Sequence, residues 1–393
     1  MKKLAFVINV FREDNFHSGG ERVFYELVNS AVELGWIVDL YCSSYLSNQN
    51  ILKPKINKIS FVGHPKDFKH PEKIEKFYDE VKKLIQNEHY DHVISENIAP
   101  SIDIGILQGH SLLHYRNLSG NFLLKILFTL KKHKYINAQK KWLKQGYNKI
   151  IVPSNTLKEE LIENFGINQE KFAVIYPCVD IPEFNISKNE SVTLNSFQGL
   201  LHDGQMLKQV QHDNEEKEFT FGLSAPSFGK KGGNIFLKAL YILKKKGYKF
   251  KAKIIYPKAK KNIKLHFLLI KYGLKDLIEF LPHQKEMQHF YSSIDAVVLP
   301  SLMETFGLVA LEGMISEKPA IVSSFCGVSE ILQDTENGFI FDMQNYPSEN
   351  LAEKLIYLLE NKDKYSELSK NAYETALKYN WQDFCDKFYE VLA

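Results

Sequence analysis

Two glutamates with seven residues between them, Glu304 and Glu312, flank Gly307 in PSLMETFGLVALEGM. Carboxylates held at fixed spacing accept hydrogen bonds from sugar hydroxyls, and a glycine entering a helix lets backbone amides approach an anion closely. The combination suits a phosphorylated sugar. In SAPSFGKKGG, Lys230 and Lys231 precede Gly232 and Gly233 at a second loop-to-helix junction, with cationic charge for a phosphate. Gly19 and Gly20 occupy a similar place before the first helix. Each feature also has a plainer reading: a glycine pair is commonly a tight turn and a lysine pair a solvated one.

The elements that must hold these residues alternate along the chain. Leu4 to Val10 reads as a strand, followed by a helix with Val23, Leu27, Ala31 and Leu34 on one face, closed by Gly35 before the strand IVDLY. This βαβ unit implies a parallel sheet. ISFV, HVIS, DIGILQ, KIIV and FAVIY continue the strands, with helices over 72–88, around 122–145, and ending near Gly166. A second series begins at FTFGL and runs through KAKIIY, LIEFL, a helix over 284–294 and GFIF. Between these, Ala296 to Leu299 form an apolar run ended by Pro300, and Leu308, Leu311, Met314 and Ile315 recur at helical spacing. Helices over 348–361, 362–379 and 381–392 close the chain, the last opening at Trp381 as an apolar anchor. Residues 187–217, rich in Asn, Gln, Asp and Ser, read as a linker or surface insertion. Their sequence resembles translated repetitive elements inserted in frame in some bacterial genes. His202, Asp203, His212 and Asp213 there are read as polar loop residues.

With 393 residues, 44% of them hydrophobic, the chain can build two separate cores. A net charge of +3 does not suggest a dedicated nucleic-acid binder. The cysteines Cys42, Cys178, Cys326 and Cys385 form no CxxC pair, so no zinc site is expected, and reduced thiols in a cytoplasmic compartment are. His110 and His114 lie four apart without an evident third ligand. LAFVINV is too short and too soon charged for a signal peptide or a membrane span. Residues 117–149 carry eight lysines, no acidic residue and an apolar run over 122–128. That mixture suits peripheral contact with anionic lipid, although a solvated helix face has the same composition.

PSLMETFGLVALEGM, KPAIVSS and GVSEILQDTENGF, in that order, resemble the donor-binding domain of GT-B fold glycosyltransferases of the retaining family 4 (group 1). GlyGlyGluArg at 19–22 and TyrProCysValAsp at 176–180 fit the same family. The resemblance implies an α/β GT-B fold of two doubly wound Rossmann-like domains facing a central cleft. Residues 1–180 would be the acceptor-side domain, 181–218 a linker, and 219–380 the nucleotide-sugar domain, with 381–393 packing back onto the first.

By that resemblance Glu312 would bind the ribose and Glu304 the donor hexose. Amides of Phe306, Gly307, Leu308 and Val309 would receive diphosphate or sugar oxygens, and Lys231, with Lys230, would neutralise the leaving diphosphate. His110 would stand near the sugar from the acceptor side, and Gly19 and Gly20 would close over the phosphates. The implied reaction is retaining transfer of a hexose from a nucleotide-diphosphate sugar to a glycan or lipid-linked hydroxyl, in envelope polysaccharide or lipopolysaccharide synthesis. It needs no metal or further cofactor, and would take place in the cytoplasm or on the inner face of the membrane. The alternatives are a noncatalytic nucleotide-sugar binding subunit and a GT-B epimerase. Two departures stand out: the family's Gly-Arg-Leu is here Gly222, Leu223, Ser224, and Cys326 replaces the first of two glycines.

Overall fold

The computed structural model describes residues 2–13, 19–46, 55–100, 103–117, 122–180 and 218–393. The chain divides into two compact units, residues 1–177 with 381–393, and residues 178–380. Residues 187–217, read as the linker insertion, lie outside the described residues.

The first unit holds a seven-stranded sheet: β1 (Lys3–Arg12), β2 (Ile37–Leu46), β3 (Lys58–Phe61), β4 (His92–Glu96), β5 (Ile104–Ile106), β6 (Lys149–Val152) and β7 (Phe172–Val174). Its order is β3-β2-β1-β4-β5-β6-β7, and every pairing is parallel. A parallel sheet is covered on both faces, which is why β1 reads as one unbroken apolar run, buried from Leu4 through Ile8. The crossovers are helices α1 (Gly19–Glu33), α2 (Pro71–Ile85), α3 (Leu112–Asn117), α4 (Phe122–Gln145) and α5 (Asn155–Phe165). Local chemistry sets the ends of α5: the Ser154 hydroxyl accepts from the Leu157 amide, and Gly166 closes it in the left-handed region at φ 65°. Leu34, expected on the buried face of α1, is instead 54% exposed. The helix ends at Glu33, so Leu34 belongs to the turn around Gly35 and leaves the helical register.

The second unit is a six-stranded parallel sheet of order β10-β9-β8-β11-β12-β13. Its strands are β8 (Thr220–Ser224), β9 (Lys251–Ile255), β10 (Ile278–Leu281), β11 (Ala296–Leu299), β12 (Ala320–Ser323) and β13 (Gly338–Phe341). Helices α6 (Gly233–Lys245), α7 (Ile263–Tyr272), α8 (Met287–Ser292), α9 (Leu308–Ile315), α10 (Pro347–Glu360) and α11 (Tyr365–Ala376) flank it. The expected helix over 284–294 is shorter, only α8. In both sheets the winding reverses at the first strand, between β1 and β4 and between β8 and β11, where ligand crevices form in doubly wound sheets.

The last helix, α12 (Trp381–Val391), belongs to the first unit. The Tyr389 hydroxyl donates to the Leu27 carbonyl at 2.7 Å, and its ring meets Trp36 edge-on at 4.7 Å. His92 Nε2 lies 2.9 Å from the Leu392 carbonyl. Trp381 is a cation partner as well as an apolar anchor, with the Arg22 guanidinium 5.3 Å from its ring centre. All four cysteines are free thiols buried in the fold.

Candidate functional site

Each reversal point carries a cluster of polar side chains. In the second unit, Pro300 ends β11 and the following loop is strapped down. The Ser323 hydroxyl donates to the Ser301 carbonyl at 2.7 Å, the Gly327 amide to the Glu304 carbonyl at 3.1 Å, and the Val328 amide to the Phe306 carbonyl at 2.7 Å. Gly307 then turns the chain into α9 at φ 114°, a conformation that strains any side chain, and a Cβ there would come within 3.4 Å of Glu304 Cγ. The Phe306 ring is buried, so only its backbone is placed to meet a ligand. Leu308 and Val309 form the first turn of α9, where amides lack intrahelical acceptors.

The loop after β8 is joined to this one, because the Leu302 amide donates to the Lys230 carbonyl at 3.0 Å. Gly232 and Gly233 have a packing reason of their own. A Cβ on Gly232, at φ 71°, would overlap the Pro300 carbonyl oxygen, and one on Gly233 would press on the Phe228 ring. That close approach brings the Lys231 ammonium into an ion pair with Glu304 Oε2. Lysine and glutamate, read separately in the sequence, share one contact 73 residues apart in the chain.

Glu312 is held by a residue that sequence reading missed. The Tyr291 hydroxyl lies 2.6 Å from Glu312 Oε2 and 3.2 Å from the Val309 carbonyl. Burial first, and Glu312 second, push the Tyr291 phenol well above its ordinary pKa, so it stays a donor. Beside the loop after β8 is a pocket of about 550 Å³ whose lining includes Lys230, Lys258, Lys264, Tyr256, Asn234 and Asn262.

Both departures from the family pattern acquire a structural setting. Leu223, in place of the arginine, is fully buried in the core beneath β8. A side chain on neighbouring Gly222 would collide with Ile294 and Phe290. Cys326 is fully buried with its sulfur 3.3 Å from the Ser323 hydroxyl and 3.6 Å from the Leu299 carbonyl. Burial pushes its thiol up to about 12, so it serves as part of the strap and not as a nucleophile.

In the first unit a pocket of about 390 Å³ is lined by Asn9, Glu21, Glu96, His110, Tyr135 and Gln139, among others. Behind its lining residue His110 is a buried carboxylate, Glu160. Glu160 Oε1 accepts from the Ser111 amide at 3.1 Å and hydroxyl at 2.7 Å, while Oε2 lies 2.5 Å from His110 Nδ1. The same Oε2 is 3.7 Å from His114 Nδ1, and the two imidazoles stack at 4.7 Å. Glu160 is therefore the third group that the spacing of His110 and His114 seemed to lack, with all three ligand atoms within 4.8 Å. Two donors on one zinc ion sit about 3.3 Å apart, given bonds near 2.0 Å and tetrahedral angles. At 2.5 Å, His110 and Glu160 are hydrogen-bonded instead.

That bond fixes the ring, and His110 Nε2 is buried with no hydrogen-bond partner among the described residues, as is Asn9 Oδ1. Burial lowers the pKa of His114. Burial, with Glu21 nearby, raises that of Glu96 to about 7. Gly20 stands over Glu96: a Cβ there would be 3.4 Å from its Oε1. A signal for Glu160 was present, since it lies on the apolar face of α5 with Leu157 and Leu161.

The basic stretch over 117–149 becomes α4, and part of its charge is neutralised locally. Lys134 pairs with Glu72 at 3.3 Å and Lys141 with Glu75 at 2.9 Å, while Ile136, Trp142 and Leu143 are buried. Ile126, Leu127 and Leu130 are exposed. Among the described residues no helix is long and apolar enough to cross a membrane.

Known proteins carry the same organisation. The family description "Glycosyltransferase Family 4" matches residues 17–183, and "Glycosyl transferases group 1" matches residues 206–375. An uncharacterized glycosyltransferase of Methanocaldococcus jannaschii is 27% identical over 82% of this chain and 80% of its own length. The structure of WaaG, a glycosyltransferase of lipopolysaccharide biosynthesis, superposes with a TM-score of 0.72 at 16% identity, covering 99% of both chains. Anabaena HepE in complex with UDP-glucose gives 0.67 at 16% identity, over 100% of this chain and 99% of that one. Two parallel Rossmann-like sheets and matches spanning both halves make the chain a member of the group 1, family 4 glycosyltransferases, with the GT-B fold.

Proposed function

We propose that the protein transfers a hexose, with retention at the anomeric carbon, from a nucleotide-diphosphate sugar to a hydroxyl of a glycan or lipid-linked acceptor. The observation that carries this reading is the Lys231–Glu304 pair at the mouth of α9. An ammonium beside a helix N-terminus suits a diphosphate, and a carboxylate beside it suits the hydroxyls of the sugar that the diphosphate carries. In the reaction the bond from the anomeric carbon to the phosphate oxygen breaks, and one to the acceptor oxygen forms. The acceptor hydroxyl passes its proton to an oxygen of the departing nucleoside diphosphate, on which the negative charge collects as the bond breaks. Lys231, with Lys230 and the α9 amides, stabilises that charge without a metal; Glu312, steadied by Tyr291, takes the ribose hydroxyls.

The pocket in the first unit takes the acceptor hydroxyl. His110 Nε2, Asn9 and Glu96 offer it hydrogen-bonding groups, and none of the described residues lining that pocket is a lysine or arginine. The HepE complex with UDP-glucose and the role given to WaaG support a UDP-sugar donor and an envelope glycan acceptor. Exposed Ile126, Leu127 and Leu130 on α4 are proposed to give peripheral contact with the membrane that carries such an acceptor.

A panel of nucleotide sugars tests the reading. The true donor raises the thermal midpoint by mass action and is slowly hydrolysed to nucleoside diphosphate without acceptor. Stabilisation without hydrolysis or transfer would mark a binding subunit instead.

A further inference from the structure

Helix α7 has two apolar faces. Leu265 and Leu269, 2% and 5% exposed, pack into the core of the second unit. On the opposite side Ile263, Phe267 and Ile270 are 84%, 68% and 73% exposed. At 100° per residue these three fall within about 60° of one another, a continuous stripe and not scattered exposure. Side chains of this size rarely stand together in water on a protein that leaves them unused.

The surrounding charge says what the stripe meets. From Pro257 to Leu274 the sequence PKAKKNIKLHFLLIKYGL contains Lys258, Lys260, Lys261, Lys264 and Lys271 and no acidic residue. All five are exposed, and among the described residues none of them is paired with a carboxylate. Lys264 and Lys271 lie on one edge of the stripe, and the turn before the helix carries the other three. A protein partner of ordinary composition would leave this charge unmatched, whereas a sheet of anionic headgroups over acyl chains matches both the lysines and the apolar row.

We infer that the Ile263–Phe267–Ile270 face of α7 and its lysines form a docking surface for an anionic lipid membrane. The helix lies in the plane of the interface, its three apolar side chains reaching the acyl boundary and its lysines at headgroup level. Lys258 and Lys264 also line the 550 Å³ pocket that includes Lys230, so a docked membrane lies beside that pocket. The surface is independent of the transferase reading, and its test needs no substrate.

The full chain is sedimented with vesicles of phosphatidylcholine alone or with about a third phosphatidylglycerol, and Phe267→Trp supplies a fluorescent reporter at the stripe. Binding is expected only to the anionic vesicles and is expected to weaken about fivefold for each lysine changed to glutamine at Lys260 and Lys261. It is expected to weaken at least tenfold in Phe267→Glu/Ile270→Glu, with the indole emission of Phe267→Trp shifting to the blue on vesicle addition. Circular dichroism verifies that the variants are folded. Absence of binding, or binding lost in Leu127→Glu/Leu130→Glu but untouched by the α7 changes, overturns the proposal. So does an indole already blue-shifted without vesicles, since the face would then be covered by this chain or by a second copy; sedimentation velocity separates those two.

Discussion

The two sheets reverse their winding at equivalent places, yet the residues gathered there are electrostatic opposites. In the second unit an ammonium is paired to a carboxylate in front of a helix start, with further lysines beside it. In the first unit, Glu21 and Glu96 line the pocket, Glu160 stands behind it, and the imidazole facing it is fixed by Glu160. One scaffold thus supplies an environment for an anion and, in its other copy, one for uncharged donors and acceptors. The fold determines where the residues collect; the charge they carry determines what each place can bind.

The sharpest way to break this contrast is to remove the cation. Lys231→Ala should reduce turnover on the order of 10²-fold, by analogy with the loss of one stabilising donor at a developing charge. Lys230→Ala, which leaves the Lys231–Glu304 pair intact, should cost less. Steady-state rates on folded protein decide it, and near-normal turnover in Lys231→Ala would remove the anion site from the second unit.

A comparable blow to the first unit falls on Glu160. Glu160→Ala leaves His110 Nδ1 and the Ser111 amide and hydroxyl without their acceptor in a buried setting. The expected loss is about 3 kcal/mol of stability, read from urea unfolding, because unsatisfied buried donors carry their full desolvation penalty. Glu160→Gln keeps the shape and one acceptor and should lose about half as much. Equal stability in all three proteins would mean that Glu160 does not organise the pocket.

A smaller effect is expected where the two carboxylates of the second unit differ. Glu304 is held by a charge and Glu312 by the Tyr291 hydroxyl. Tyr291→Phe removes one hydrogen bond to a charged group, worth about 1.5 kcal/mol, and should weaken donor binding about tenfold while leaving maximal turnover nearly unchanged. A fall in turnover with unchanged donor affinity would move Glu312 from binding to the chemical step.

These contrasts also mark what could be read from the chain. Alternating strands and helices, the Pro300 strand end and the Gly307 helix entry were legible because each depends on neighbours in sequence. The Glu304–Glu312 spacing was legible for the same reason. Tyr291 and Glu96 were not, and Glu160 showed only as a charge on an apolar helix face, since their importance comes from pairings with residues 21, 75 and 50 positions away. Gly20 and Gly232 were visible as glycines, but what approaches them, a glutamate and a carbonyl, depends on strands brought together by the sheet. Leu34 was misplaced by extending the helix one residue beyond Glu33, where periodicity alone gives no stop.

The finest test of the contrast is the proton on Glu96. Its folded pKa, raised to about 7 from 4.5 by burial and by Glu21, means that the folded chain holds a proton that the unfolded chain releases. Below pH 4.5 both states are protonated, and the group has no effect on stability. Between 4.5 and 7 the folded state binds more protons, so this contribution to stability falls as pH rises; above 7 the penalty is constant. His114, whose pKa is lowered, works the other way near its ordinary value of 6.5, so the profile of the unaltered protein mixes the two. Comparison with Glu96→Gln separates them. The variant should match the parent in thermal midpoint near pH 4.5 and exceed it above pH 7, the gap opening across that window. A gap of the opposite sign would show Glu96 stabilised as a carboxylate, and the first unit would then present a fixed negative charge where a neutral hydrogen-bonding group is argued.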